Sequence, residues 1–360
     1  MKIALDATYS LGSALSGVGV YCARLIAALV AAAPEWDFLL CYRSNRFFQA
    51  LARPAPGRNV SRRLLEEPMN VLLPRRVDLF HGLNQRLPRY RFPRTISTFH
   101  DLLVLSGEYS TSEFRRRFAS LARDAAARSD HMVAVSRHTA TQVESLLGVA
   151  PARITVIHHG VDPVPEFSGE DLAAFRRRLR IERPFLLHVG AVQARKNIAR
   201  LVEAFESLPP PLELVLAGSD GYQAADIHAR IGRSSARRRI HTLGYVPPGV
   251  LERLYRSAQV LAFPSLEEGF GLPVLEAMSA GLPVVTSNRS ALVEVAGDAA
   301  LQVDPEDPAA IAAALDGALH DSEERGELIR KGLARAAGFR WSRAAQETLA
   351  VYGKLLGASR

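Results

Sequence analysis

Short apolar runs alternate with longer stretches of helical periodicity along most of the chain. In the first half, six runs have the length and composition of buried strands. They are residues 2–5, 38–42, 77–80, Thr95–Phe99, 132–135 and 154–157. Helical patterns lie between some of them, as at 21–32 and 114–128. This alternation predicts βαβ units that build a parallel sheet.

A second alternation follows a less regular stretch. Residues 160–183 include Pro163, Pro165 and Gly169, a pattern that predicts a linker and one charged helix over 171–180. Strand-like runs then recur at Phe185–Val189, Glu213–Ala217, 240–243, Val260–Phe263 and 284–286. The chain is therefore predicted to be an α/β protein with two doubly wound domains that meet near residue 165. Ligands bind beyond the carboxyl ends of such strands, so a cleft between the domains is the expected active site.

The stretch 264–283, PSLEEGFGLPVLEAMSAGLP, combines a strand end, a glycine loop and a helix. Pro273 suits the first helical turn, and Gly281 suits a left-handed helix end. Main-chain N–H groups at such a helix start can bind an anion or a sugar hydroxyl. Glu268 and Glu276 are candidate acceptors for sugar hydroxyls. A plainer interpretation stays open, in which Glu276 only favours the helix dipole and the glycines only turn the chain.

The stretch 190–197, GAVQARKN, follows another strand-like run. Asn197 is predicted to cap a helix whose apolar residues lie on one face. Arg195 and Lys196 stand just before that helix, where cations oppose its dipole. An anion between them, such as a diphosphate, would explain the placement, since arginine gives bidentate contacts and lysine a point charge. The alternative is a solvated basic turn.

Two further segments give weaker indications. Gly17 and Gly19 lie in SGVGVY, which resembles a dinucleotide fingerprint, but Cys22 replaces its third glycine and no acidic residue follows at the right distance. A loop that lets phosphate approach the backbone and a simple turn are equally consistent with it. His100 follows the apolar run 96–99 and is expected to face the cleft, where it could bind the donor or the acceptor. A structural histidine is the alternative.

Chain length, cysteine content and the length of the apolar runs indicate a globular protein of two domains. The chain has 360 residues and two cysteines, Cys22 and Cys41, which are not in a metal-ligand spacing. That length suits two domains, and the cysteine content makes a reducing cytoplasm the expected compartment. Asp6 comes too early for a signal peptide, and no apolar run reaches the roughly 20 residues that span a bilayer.

The net charge of +8 comes mainly from arginine, and much of it lies in the first half. The clusters are Arg58, Arg62 and Arg63; Arg75 and Arg76; Arg86, Arg89, Arg91 and Arg94; and Arg115, Arg116 and Arg117. A solvated surface is the favoured interpretation. Docking on anionic lipid, worth about 1 kcal/mol per basic residue near the surface, or an anionic acceptor comes second. Nucleic acid is the least favoured partner.

Together these residues resemble the retaining glycosyltransferases of family four, which have two Rossmann-like domains in the GT-B fold. The resemblance covers nearly the whole chain. The family's E-x7-E element is similar to Glu268–Glu276, and its R-K pair to Arg195–Lys196. Its glycine loop is similar to residues 16–21, its HD element to His100–Asp101, and its N-G-V-D junction to 159–162, where His159 replaces asparagine. The run 288–297 is similar to a subgroup that includes bacterial mannosyl- and rhamnosyltransferases.

The resemblance implies an acceptor-binding domain over residues 1–165, a nucleotide-sugar-binding domain over 166–340, and a last helix over 341–360 that crosses back to the first domain. Arg195 and Lys196 would neutralise the diphosphate, and Glu268 would hold the donor sugar with the main-chain N–H groups of its loop. That loop comprises Gly269, Phe270, Gly271 and Leu272. Glu276 would bind the ribose and His100 the sugar, with Gly17 and Gly19 in the donor-facing glycine loop.

The resemblance also implies retention by same-face displacement, with no metal and no cofactor besides the nucleotide-sugar co-substrate. GDP-mannose is the first expected donor and dTDP-rhamnose the second, both by analogy. The charge of the arginine-rich first half, and not the resemblance, is the reason to expect a glycan or lipid-linked glycan as acceptor, at the cytoplasmic side of a membrane that the protein contacts peripherally. A nucleotide-sugar 2-epimerase and an inactive basic binding module are the alternatives. Glu268→Ala or Lys196→Ala is expected to abolish turnover and leave the melting temperature nearly unchanged.

Overall fold

A computed structural model describes residues 1–12, 14–66, 73–320 and 322–357. The chain forms two compact units. The first comprises Met1–Gly160 together with the chain from Arg340 onward, and the second comprises Val161–Phe339. Residues 161–165, which the sequence prediction placed in the first domain, belong to the second unit.

The first unit is built on a parallel sheet of seven strands in the order β3-β2-β1-β4-β5-β6-β7. The strands are β1 Lys2–Asp6, β2 Asp37–Tyr42, β3 Val60–Leu64, β4 Leu79–Gly82, β5 Thr95–Phe99, β6 His131–Ala134 and β7 Ile154–Val156. The helices between them are α1 Gly17–Ala32, α2 Ser44–Leu51, α3 Leu103–Ser106, α4 Ser112–Arg128 and α5 Arg137–Leu147. All six predicted strands are confirmed, with ends shifted by at most two residues.

Strand β3 was missed because it lies at the edge of the sheet. Its sequence, VSRRL, alternates half-buried and exposed positions instead of forming an apolar run. An edge strand has one free side, where arginines such as Arg63 discourage pairing with another chain. Continuous apolar runs are typical of inner strands, which are buried on both faces, but not of a half-exposed edge strand.

Helix α1 begins at Gly17, four residues earlier than predicted. The Ser16 hydroxyl caps it by accepting a hydrogen bond from the Gly19 N–H at 3.4 Å. Gly17 and Gly19 therefore lie in the first helical turn, and the prediction that they form a loop before the helix is wrong. A Cβ at Gly19 would lie 3.0 Å from the Tyr9 carbonyl oxygen, so this glycine allows close packing.

The second unit is built on a parallel sheet of six strands in the order β10-β9-β8-β11-β12-β13. The strands are β8 Phe185–Val189, β9 Glu213–Ala217, β10 Ile240–Gly244, β11 Val260–Phe263, β12 Val284–Ser287 and β13 Leu301–Val303. The helices are α6 Gly169–Leu179, α7 Ile198–Glu206, α8 Ala224–Gly232, α9 Pro248–Ser257, α10 Leu272–Ser279, α11 Ser290–Ala296, α12 Pro308–His320 and α13 Ser322–Ala337. The five predicted strands are confirmed; β13, an edge strand of three residues, was too short to recognise.

A final helix, α14, spans Trp341–Leu356 and packs against α1, so it completes the first unit as predicted. Its Tyr352 is fully buried, and the hydroxyl lies 2.6 Å from His81 Nδ1. His81 Nε2 in turn lies 2.8 Å from the Thr98 hydroxyl, which is 3.0 Å from the Tyr21 hydroxyl. This buried chain of hydrogen bonds fixes α14 to the sheet and gives His81 a structural role. None of the described helices has the length and apolarity to cross a membrane.

Candidate active site

The two loops that carry the predicted donor chemistry leave neighbouring strands of the second sheet. Strand β8 pairs with β9 on one side and with β11 on the other, so the strand order reverses there. Loops that follow the two strands at such a reversal leave a crevice at the carboxyl edge of the sheet. The loop after β8 contains Arg195 and Lys196, and the loop after β11 contains Glu268. Topology thus brings together side chains that lie about 70 residues apart in sequence.

At this edge two cations share one buried carboxylate oxygen. Lys196 Nζ lies 2.6 Å from Glu268 Oε1, and Arg195 Nη1 lies 2.8 Å from the same oxygen. The Lys196 and Glu268 side chains are only 7% and 9% exposed. The trio combines two cations with one carboxylate in a poorly solvated place, where a pair of positive charges attracts an anion more strongly than it would in water.

The carboxyl group of Glu268 is ionised throughout the physiological pH range. Burial alone would raise its pKa, but the charges of Arg195 and Lys196 outweigh burial and lower the pKa to about 2. A permanent carboxylate can only accept hydrogen bonds, from the cations or from hydroxyl groups. Glu268 therefore serves as a fixed acceptor and not as a proton donor.

Gly190 and Phe263 position the Lys196 side chain. The ammonium group lies 4.5 Å from the centroid of the Phe263 ring, at a cation–π distance. On the other side, a Cβ at Gly190 would lie 2.9 Å from Lys196 Cε, and Gly190 has φ +142°, which L side chains rarely adopt. Only glycine leaves room there for the extended lysine to reach Glu268.

We expect Gly190→Ala to displace Lys196 and to lower turnover by at least about tenfold, since small misplacements of catalytic groups have effects of this size. Backbone strain should add about 1–3 kcal/mol of lost stability. The control is Gly232→Ala, because nothing lies within 4 Å of a Cβ at Gly232 and its φ is ordinary. Steady-state kinetics and thermal unfolding of both variants test this. A Gly190→Ala enzyme as active as Gly232→Ala would contradict the positioning role.

Asn197 occupies the N-cap position of α7 as predicted, but its side chain makes no capping hydrogen bond to that helix. Its backbone lies in the left-handed region at φ +59°, and its side-chain amide donates to the carbonyl oxygens of Pro264 at 3.1 Å and Pro305 at 2.6 Å. Asparagine tolerates this conformation better than most residues. Asn197 thus ties the loop after β8 to the loop after β11, next to the charged trio.

The loop between β11 and α10 has a defined main-chain path. Gly271 adopts φ +106°, where an added Cβ would also lie 2.6 Å from a Leu292 methyl group, so the loop requires glycine there. Pro273 lies in the first turn of α10 as predicted, and Gly281 is left-handed after its end. Phe270 is only 5% exposed, and its ring packs against Phe339. The donor-binding roles of Gly269, Phe270, Gly271 and Leu272 stay predictions.

Glu276 in α10 has a partner that the sequence did not indicate. The Tyr255 hydroxyl in α9 donates to Glu276 Oε2 at 2.7 Å. Burial raises the pKa of Glu276, and the hydrogen bond from Tyr255 opposes that shift. One carboxylate oxygen is thus held in place, which orients the other. Tyr255 fits the apolar pattern of its helix, so the sequence offered no signal that it has a polar role.

His100 lies at the carboxyl end of β5 in the first unit. Burial lowers the pKa of His100 to about 4, so the ring is neutral at physiological pH. Its Nε2 lies 3.0 Å from the Leu83 carbonyl oxygen, a contact that assigns the hydrogen to Nε2. Nδ1 is then a buried acceptor with no hydrogen-bond partner among the described residues. The Tyr21 ring packs edge-on at 4.6 Å and fixes the imidazole.

The structure thus brings Arg195, Lys196 and Glu268 into direct contact at one crevice of the second unit. Gly17, Gly19 and His100 belong to the first unit, at the starts of α1 and of the loop after β5. Sequence reasoning did not assign site roles to Gly190, Phe263 and Tyr255, whose importance lies in three-dimensional contacts. Within the described ranges, no group of three or more His, Cys, Asp or Glu side chains is arranged to hold a metal ion.

Two doubly wound units, each built on a parallel sheet, define the GT-B class of folds, and the second unit has a charged crevice at its strand reversal. Family models agree: residues 15–164 match the model described as Glycosyltransferase Family 4, and residues 171–335 match Glycosyl transferases group 1. O-antigen chain mannosyltransferase B of Escherichia coli is 31% identical, over 99% of this chain and 100% of that protein. The chain belongs to the glycosyltransferases of family four.

Other relatives are similar to this chain in sequence, and several solved structures are similar to it in fold. A D-inositol 3-phosphate glycosyltransferase of Xylanimonas cellulosilytica is 35% identical, over 63% of this chain and 58% of that protein. HepE of Anabaena, solved with UDP and glucose, aligns with a TM-score of 0.77 at 17% identity, over 98% of this chain and 100% of that one. Sucrose-phosphate synthase of Thermosynechococcus elongatus gives 0.77 at 21% identity, with both chains fully covered. The two solved structures support the fold.

Proposed function

We propose that this glycosyltransferase moves a hexose from a nucleoside diphosphate sugar to a glycan or lipid-linked acceptor, with retention of anomeric configuration. The observation that carries the proposal is the pairing of Arg195 and Lys196 with the buried carboxylate of Glu268. A diphosphate would supply the anion that this crevice favours. The sugar hydroxyls would then meet a permanent acceptor beside it.

Each side chain has a role in holding the donor. Arg195 and Lys196 neutralise the diphosphate, and Glu268 accepts hydrogen bonds from sugar hydroxyls together with the main-chain N–H groups of its loop. Glu276, oriented by Tyr255, accepts from the ribose hydroxyls. His100 contacts the donor sugar, as the resemblance to the family implies. The first turn of α1, where Gly17 and Gly19 lie, is a favourable place for negative charge.

In the reaction, the bond between the anomeric carbon and the leaving phosphate oxygen breaks, and a bond from the acceptor oxygen forms on the same face. The leaving phosphate takes the acceptor proton. Negative charge grows on the phosphate as it leaves, and Lys196 and Arg195 stabilise it in a poorly solvated site. Catalysis rests on positioning and charge, with no metal and no protein nucleophile.

GDP-mannose is the proposed donor and dTDP-rhamnose the second candidate. A mannosyltransferase relative that spans the full chain supports mannose. The test is a thermal-shift screen against GDP, UDP, ADP and dTDP, with and without their common sugars, followed by product analysis with an acceptor. Ligand at about 100 times its dissociation constant should add roughly 2.7 kcal/mol of stability. A shift and a new glycoside with one donor support the proposal; an isomerised donor would identify an epimerase, and no shift with any nucleotide would contradict it.

The proposed acceptor is a growing bacterial surface glycan on a lipid carrier, reached by peripheral contact with the cytoplasmic face of a membrane. The first unit supports this with exposed apolar and basic side chains on two helices. Phe48 in α2 is 78% exposed and Phe114 in α4 is 51% exposed. Arg116 and Arg117, also exposed, follow Phe114. Aromatic rings flanked by cations suit an anionic lipid interface.

We expect the double variant Arg116→Glu, Arg117→Glu to lower binding to anionic liposomes by more than about tenfold, at about 1 kcal/mol per basic residue near the surface. The matched control is Arg237→Glu, Arg238→Glu, an exposed arginine pair in the second unit. Cosedimentation at low and high salt measures the effect, which should weaken as salt screens the charges. No binding of the unmodified protein at low salt, or equal losses in the two variants, would contradict the membrane proposal.

A further inference from the structure

Contacts on two sides fix the loop that carries Glu268. On one side lies α11: the Ser290 hydroxyl accepts from the Glu268 N–H at 3.1 Å, and the Ala291 N–H donates to the Glu268 carbonyl at 3.3 Å. On the other side the Phe270 ring packs edge-on against Phe339, with centroids 6.1 Å apart and planes at 70°. Ser290 itself has φ +57°, a conformation that a non-glycine residue keeps only where its contacts demand it.

One arginine joins these two sides. The Arg335 guanidinium, in α13, lies 5.2 Å from the centroid of the Phe339 ring. It also donates from Nε to the Val295 carbonyl at 3.0 Å and from Nη2 to the Glu294 carbonyl at 2.5 Å. Both carbonyls lie in the last turn of α11, where carbonyls lack partners within the helix and a cation is favourable.

The geometry points to Arg335 as a positioning residue for Glu268, an inference that rests on the proposed function of the crevice. The contacts form a closed ring from Glu268 through α11 to Arg335, then through Phe339 and Phe270 back to the loop. Each contact restricts the next, so Arg335 holds the Glu268 carboxylate where Arg195 and Lys196 meet it. A loop released from this ring would sample other conformations. The apparent affinity for the donor would then fall in proportion to the fraction of protein molecules whose loop is in the donor-binding conformation.

The test compares Arg335→Met with Arg325→Met. Methionine keeps the apolar stem and removes the charge and the donors. Arg325 is a matched control, because it lies on the same helix and donates to two main-chain carbonyls, Gln259 at 2.8 Å and Ala318 at 3.1 Å, which are not part of the ring. We expect similar falls in melting temperature, because each variant leaves two carbonyls without their donor.

The kinetic constants should separate the two variants. Arg335→Met should raise KM for the nucleotide sugar about tenfold and change kcat less than about threefold, as expected when only the competent fraction falls. Arg325→Met should leave KM unchanged. Arg335→Lys, which restores the charge but not the planar fork, should recover part of the loss. Equal KM values in the two methionine variants would overturn the inference.

A second readout does not depend on activity. Hydrogen exchange at the Glu268 and Ala291 amides should be faster in Arg335→Met than in Arg325→Met, because these amides report loosening of the loop. Faster exchange in a protein that makes no glycoside from any donor would support the positioning role and refute the proposed function. Equal exchange would refute the positioning role alone. If Arg335→Met does not fold, Phe339→Leu breaks the same ring and should give the same faster exchange and higher KM.

Discussion

Lys196→Met is expected to lower kcat by about 10²–10³, the usual effect of removing one group that stabilises charge in the transition state. Methionine can keep the aliphatic stem against Gly190 and Phe263, so the crevice should hold its shape. Glu268 would retain Arg195, at 2.8 Å, as its ionic partner. The melting temperature should therefore stay nearly unchanged while kcat falls, as the sequence predicts for substitution of Lys196. Steady-state kinetics and thermal unfolding measure the two effects.

The control for this variant is Lys331→Met. Lys331 is also ion-paired, with Asp298 and Glu327 each at 3.3 Å, but it lies on α13 with a more exposed side chain. A surface pair contributes at most about 1 kcal/mol and should not affect turnover. If Lys196→Met were as active as Lys331→Met, the assignment of Lys196 to the leaving diphosphate would be wrong.

Glu268→Gln should lower the stability of the protein and its turnover, but raise its affinity for a free nucleoside diphosphate. The variant leaves Arg195 and Lys196 without their carboxylate, and breaking a buried pair in this way costs about 3–5 kcal/mol. The structure thus revises the expectation from sequence that substitution at Glu268 leaves the melting temperature nearly unchanged. A free nucleoside diphosphate should bind more tightly, because it no longer competes with Glu268 for the cations. Turnover should still fall by about 10²-fold or more, since the sugar hydroxyls meet a neutral amide in place of a charged acceptor.

Calorimetric titration with the nucleoside diphosphate, denaturant unfolding and a glycoside assay measure these three effects on the same protein. Glu327→Gln, which removes by the same change a carboxylate that pairs with Lys331 at 3.3 Å on the surface of the second unit, serves as the control for the lost charge. Weaker nucleotide binding by Glu268→Gln than by the unmodified protein would show that Glu268 does not compete for Arg195 and Lys196.

The contribution of Glu268 to stability should depend on pH in a defined window. Its pKa falls from 4.5 to about 2 on folding. A depressed carboxyl pKa stabilises the fold above the unfolded value, and this stabilisation is lost as pH falls through the folded value. At about 1.36 kcal/mol per pKa unit, the difference corresponds to roughly 3 kcal/mol. The gap in unfolding free energy between the unmodified protein and Glu268→Gln should therefore narrow between pH 4.5 and about 2; a constant gap would rule out this linkage.

The inner strands, and the positions of the loops that follow β8 and β11, were predictable because parallel sheets bury both faces of their inner strands. The same strands place the loops, since the order at β8 and β11 follows from the doubly wound pattern. The edge strands β3 and β13 were missed, because one is partly exposed and the other has three residues. The start of α1 was also missed, because glycine has a low helix propensity and the glycines at 17 and 19 therefore predict a loop.

Contacts between distant residues were not predictable from local patterns. Asn197 has the residue type of a helix cap, yet its amide joins two loops 67 and 108 residues away in sequence. Tyr255 meets Glu276 across 21 residues and two helices. Their residue types were compatible with ordinary helix positions, so only the packed structure distinguishes these roles.

The return of α14 to the first unit has a consequence for synthesis of the protein on the ribosome. The first unit lacks α14, and with it the Tyr352 partner of His81, until all of Val161–Phe339 has been translated. At ~5–20 residues per second, those about 180 residues take roughly 10–35 seconds. During that time the apolar face of α1 that α14 later covers is open to solvent, while the second unit emerges whole and can fold first. The nascent first unit thus carries an uncovered apolar surface for that interval, and transiently exposed surface of this kind favours aggregation.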